Sequence, residues 1–204
     1  MYLKKDEAIK LLSELKKNLA DSVIEKIDFL MPLLDADDWT MIIKSHAVLE
    51  NIITNLIITK IDEPKLKKLI ERLPLSDNEI GKLLIIKEYD LIPEDQRTFI
   101  KKLSNLRNNI IHKYENLNFK LSEYLNSLDK NQLRSWEKSV TWFAEDLENK
   151  EQWIKISMKT PEIVLWISIF MFITITVIKN GEYNGDNKIT ALALETTKSL
   201  FKNV

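Results

Sequence analysis

The sequence predicts an all-α protein, a bundle of helices, on three observations. Leu, Ile, Lys and Glu dominate its 204 residues, and only 3 glycines and 5 prolines interrupt them. Good helix formers with few breakers give that composition. Apolar residues recur at intervals of three and four instead of alternating, which is the period of a helix with one buried face. The prolines and the acidic capping residues fall at the ends of these periodic stretches, where helices start and stop. A chain of this length suits one domain over residues 1–204 with a real core. No internal repeat and no linker rich in Gly, Ser and Pro divides it.

The elements follow in order. Residues 4 to about 30 carry Ile9, Leu11, Leu12, Leu15, Leu19, Val23, Ile24 and Ile27 at helical spacing and end at Met31-Pro32. Asp35, Asp37 and Asp38 can cap a second helix over 39 to about 61, because a carboxylate satisfies the free amides of a helix start. They could also ligate a hard cation, but capping is the reading favoured. Residues 64–73 form a short basic helix. Ser76-Asp77-Asn78-Glu79 has the pattern of a capping box opening a helix to about Tyr89. Pro93 suits the first turn of the next helix. A polar stretch, 115–130, is expected to be a loop with a short helix in it, and 132 to about 153 a further helix. Pro161 starts an apolar helix, Asn180 to Asn187 forms a turn, and 189–201 makes a short terminal helix.

Charge and cysteine content exclude several classes of function. The formal net charge is −1 and there is no cysteine. Disulfides, thiol catalysis and thiolate metal sites are therefore out, and no general basic field draws nucleic acid, so any such binding needs a local patch. The first residues, Met1 to Glu7, hold no apolar signal core, which makes a cytoplasmic location the expectation. Residues 163–178 run uncharged for sixteen positions. A spanning helix needs about 20 apolar residues, so a buried core helix is favoured over a membrane anchor.

The most informative stretch is Leu106-Arg107-Asn108-Asn109-Ile110-Ile111-His112. It sets one of 2 histidines five positions after an arginine that is followed by a polar amide. A guanidinium holds phosphate through planar, charge-assisted hydrogen bonds, and an imidazole moves a proton near neutral pH. Together they can cleave a phosphodiester without a metal. On a helical wheel Phe99, Leu103, Leu106 and Ile110 fall in one stripe that faces the core. Arg107, Asn108 and His112 fall on a different arc, from which Lys101 and Ser104 also project. Arg107 and His112 are themselves about 140° apart around the helix. They converge on one phosphate only if the helix end distorts or a second subunit contributes.

Arginine, a polar residue and then histidine after four intervening positions resembles the signature of the HEPN superfamily of small helical bundles, here carried by Arg107, Asn108 and His112. The order of elements extends the resemblance: a helix with Leu49-Glu50, then Leu73-Pro-Leu-Ser-Asp77 opening another, then the motif, then a strongly apolar helix. This layout is similar to the mannitol operon repressor branch. The resemblance implies an up-and-down HEPN-like bundle over about 36–182, with extra N-terminal and C-terminal helices and a stretch between His112 and Pro161 that is long for that branch. It also implies a homodimer through the motif helices and, as in many members, a metal-independent endoribonuclease of the toxin or phage-defence kind. On that reading His112 is the general acid or base at the ribose 2′-hydroxyl and leaving oxygen, and Arg107 stabilises the charge developing on phosphorus. Asn108 orients the histidine or a phosphate oxygen. Lys101, Ser104 and Lys113 are candidate substrate-binding residues, the lysines attracting the RNA backbone. The RNA supplies its own nucleophile, so no cofactor or metal is expected, and an antitoxin or regulatory protein is a candidate partner.

Blander readings stand beside these. Arg107 and His112 also suit carboxylate pairing or carbonyl capping at a helix end. Glu50 is expected to reach across the bundle to Arg107 as a structural partner. His46 reads as an ordinary helix residue, and Trp136, Trp142, Trp153 and Trp166 as core or interface aromatics. Non-catalytic HEPN proteins exist, so a regulatory or protein-interaction module is the alternative function. A membrane-associated protein anchored by 163–178 is the third.

Overall fold

The computed structural model describes residues 5–112, 117–144 and 148–202, and among them the chain is an all-α bundle with no strand. Nine α-helices follow in order: α1 (Lys5–Leu30), α2 (Asp38–Ile61), α3 (Lys67–Arg72), α4 (Lys82–Glu88), α5 (Glu94–Ile111), α6 (Leu121–Asn126), α7 (Lys130–Val140), α8 (Lys150–Lys159) and α9 (Pro161–Lys202).

Local chemistry sets the helix starts. Asp37 caps α2, accepting the Thr40 N–H at 2.9 Å and the Thr40 hydroxyl at 2.6 Å, and these bonds hold its carboxyl below the usual range. Asp38 instead accepts the Leu121 N–H at 2.7 Å and so ties the start of α6 to the start of α2. Asp129 and Gln132 form a reciprocal capping box at α7. The expected box at residues 76–79 is different. Asp77, not Ser76, takes the N–H groups of Glu79 and Ile80, at 2.8 and 3.0 Å, and α4 begins only at Lys82. A side chain at Gly81 would collide with the Asp77 backbone, its Cβ lying 2.3 Å from the carbonyl oxygen, so this turn closes on a glycine.

One continuous core joins α2, α5 and α9. The stripes Ile42, Leu49, Ile53 and Leu56 of α2, Phe99, Leu103, Leu106 and Ile110 of α5, and Val164, Leu165, Ile169 and Phe172 of α9 are all buried. Each such side chain contributes roughly 1.5–3 kcal/mol when removed from water. Trp136 and Trp142 lie in this core and Trp153 and Trp166 pack on its edge, as expected of structural aromatics. By length and composition α2 and α9 could each cross a bilayer, yet about half of each apolar window (56% and 50%) is buried within the bundle.

Two expectations fail in the second half. Residues 132–153 are not one helix; α7 ends at Val140, a 3-10 turn spans Trp142–Ala144, and α8 starts afresh at Lys150. Asn180 to Asn187 is not a turn; α9 runs unbroken for 42 residues. Tertiary contact overrides the glycines' turn preference. A Cβ at Gly181 would stand 2.9 Å from Leu19 Cδ1, so the bare backbone there lets α1 lie close, while one at Gly185 would meet Leu15 Cδ1 at an ordinary 3.4 Å. Asn187 Nδ2 donates to the Thr59 carbonyl at 2.8 Å, and Lys60 sits 4.4 Å above the Tyr183 ring. The approaches of Leu19 to Gly181 and of Leu15 to Gly185 place α9 antiparallel to α1.

Candidate functional site

The motif helix α5 starts just after Pro93, which stands at its N-cap position without a side-chain cap, and the charges of Glu94 and Asp95 in its first turn complement the helix dipole. Its buried arc is wider than the single stripe expected, because α2 packs on one flank and α7 on the other. Ile100 and Ser104 are both 1% exposed, on the α2 side. Ser104 therefore does not project from an outer face: its hydroxyl lies 3.1 Å from His46 Nε2, inside the α2–α5 interface, where its burial closes it to a substrate. Arg107 sits one turn further along that same flank, half-buried at the mouth of the interface. Asn108 is exposed and accepts from the Arg107 Nη1 at 3.0 Å.

His112 is exposed at the C-terminal end of α5, with backbone angles of φ −87° and ψ −3° that continue the helical turn without distortion. The angular separation from Arg107 therefore persists, about 140° around the axis and roughly 7.5 Å along it. Within one chain the two residues do not converge. Lys101 is exposed and donates to Asn78 Oδ1 at 2.8 Å, which ties α5 to the turn before α4. Lys113 lies outside the described residues.

Arg107 opens onto a cleft of about 510 Å³ between α2, α5 and residues 74–78. Its walls include His46, Glu50, Asn78, Asn105 and Asn108. The expected Glu50–Arg107 pair is replaced by another. Glu50 Oε1 lies 3.0 Å from Lys82 Nζ, whose side chain is 2% exposed against 38% for Glu50. A lysine withdrawn from water demands a counter-charge, and Glu50 supplies it. Arg107 consequently makes no ion pair among the described residues.

His46 was not anticipated as part of this site. Burial drives its pKa down to about 4, helped by the neighbouring Arg107 charge and opposed by Glu50. The ring is neutral at physiological pH. The signal was present, since His46 falls between Ile42 and Leu49 on the α2 core stripe; a histidine on an apolar stripe needs a polar partner somewhere across the interface. Lys82 gave no such signal, because its partner lies on a different helix. Among the described residues, no group of three or more His, Asp or Glu side chains is placed to hold a metal ion. No family model, curated protein or solved structure matches this chain, so the site stands on its own geometry.

Proposed function

We propose that the protein is a HEPN-type endoribonuclease that acts as a cytoplasmic homodimer, cleaving RNA by attack of the ribose 2′-hydroxyl on the adjacent phosphate. The observation that carries this reading is the Arg107 guanidinium, which makes no ion pair among the described residues. Glu50 is occupied by Lys82, and Arg107 faces an open polar cleft where a phosphate can reach it. The motif helix also leaves Lys101, Asn105, Asn108 and His112 exposed along one outer strip. If two copies pack antiparallel along that strip, His112 of one chain can approach the partner's Arg107 at the mouth of its cleft. The imidazole then moves the proton and the guanidinium holds the developing charge, contributions of about 10²–10⁴-fold for the proton transfer alone.

A second reading is a non-catalytic regulatory or interaction module, favoured by the failure of Arg107 and His112 to converge within one chain. Induced expression separates the two, with His112→Ala and Arg107→Ala beside the wild type. Growth arrest with RNA fragments ending in cyclic phosphate, lost in both folded variants, supports the nuclease. Normal growth and intact RNA with all three proteins soluble and abundant supports the module.

A further inference from the structure

The cleft beside Arg107 has the chemistry of a nucleobase site. Glu50 is paired with Lys82, the Asp77 carboxylate accepts from two backbone N–H groups, and Arg107 makes no ion pair among the described residues. Three carboxamides remain on its walls. Asn78 and Asn108 each accept through Oδ1, from Lys101 and Arg107 respectively, and each also carries an Nδ2 donor. Asn105 is exposed on the wall beside them. Pro74 lies exposed on the same wall and offers a flat apolar ring, and the Arg107 plane lies at the mouth. Carboxamides present a donor and an acceptor side by side, which is the pattern that reads a base edge, and a ring or guanidinium plane stacks on the face of an unpaired base.

We propose that this cleft binds the base of one unpaired ribonucleotide whose phosphate is held by Arg107, so that Asn78 and Asn105 select the base. The inference rests on the nuclease reading for its role, but it makes a claim about binding that cleavage does not decide. A pocket that only held phosphate would carry more cations and fewer amides. A cleft of about 510 Å³ has room for a nucleoside monophosphate.

Equilibrium binding tests this. Titrate the full chain with AMP, GMP, CMP and UMP, and with ribose 5-phosphate as the base-free control, following the side-chain amide NMR signals. At least one nucleotide is expected to shift the asparagine signals and to bind at least tenfold more tightly than ribose 5-phosphate. Asn105→Ala, exposed and without a core role, should lose about tenfold of that affinity while melting as wild type does, a loss in the range expected of one base-edge contact. Equal affinity for ribose 5-phosphate, or nucleotide binding unchanged in both Asn105→Ala and Asn78→Ala, overturns the inference. If RNA is cleaved but no nucleotide discriminates, the base site falls and the nuclease stands. If nucleotides bind selectively but RNA stays intact, the nuclease falls and the cleft remains a nucleotide site.

Discussion

Replacing His46 with glutamine should flatten the acid sensitivity of the fold. The wild-type imidazole is buried at 7% exposure beside Arg107, and its pKa falls from the ordinary 6.5 to about 4. In the unfolded chain it titrates normally. Between pH 6.5 and 4 the unfolded state therefore binds a proton that the native state refuses, and stability drops as pH falls. Above pH 6.5 both states are neutral and the residue contributes no slope; below about 4 both are protonated and the loss is complete. A shift of this size, at roughly 1.4 kcal/mol per pH unit, gives about 3 kcal/mol lost across the window. Glutamine can still bond the Ser104 hydroxyl but does not titrate. Urea unfolding of wild type and His46→Gln at half-unit steps from pH 7.5 to 4 isolates the difference, since the carboxylates titrate in both. Wild type should lose about 3 kcal/mol more than the variant over that range. Parallel profiles, or a wild type that gains relative stability on acidification, would refute a neutral buried His46.

Two further perturbations probe the frame around the site. Glu50→Ala leaves the Lys82 ammonium buried and unpaired, at a cost of about 2–3 kcal/mol given that Glu50 is partly solvated. Lys82→Met, which removes the charge along with the need for it, should cost less; denaturant midpoints of the two variants compare them directly, and the reverse order would contradict the pairing. On α9, Gly185→Ala should stabilise by about 0.5–1 kcal/mol through helix propensity, because the added Cβ meets Leu15 at an ordinary 3.4 Å. Gly181→Leu should destabilise by about 1–3 kcal/mol, since its first carbon already stands 2.9 Å from Leu19. A gain at Gly181→Leu would mean that α1 does not lie against α9 there.

Helix existence was legible wherever the determinant was local. Asp37 announces α2 by its own side chain, and the Phe99–Ile110 stripe marks the buried side of α5 by periodicity alone. What failed depended on neighbours distant in sequence. Asn180-Gly181 carries a strong turn signal, but the Leu19 side chain of α1 stands where a Cβ at Gly181 would lie, which makes that glycine worth keeping inside a helix. Ser104 and Lys101 looked equivalent on the wheel until α2 covered one and left the other in water. The candidate site divided along the same line. Arg107 and Asn108 line one cleft, His112 lies off it, and the Glu50 partner changed because buried Lys82, contributed by α4, outcompetes half-exposed Arg107 for the carboxylate.

The decisive measurement is subunit mixing. Arg107→Ala and His112→Ala, purified separately, are each expected to leave RNA intact without added metal. When the two are mixed and allowed to exchange, half the dimers become mixed, and each mixed dimer restores one of its two shared sites. About a quarter of wild-type cleavage should return, with cyclic phosphate ends. A mixture as inactive as its folded, dimeric components would contradict a site built from Arg107 of one chain and His112 of its partner.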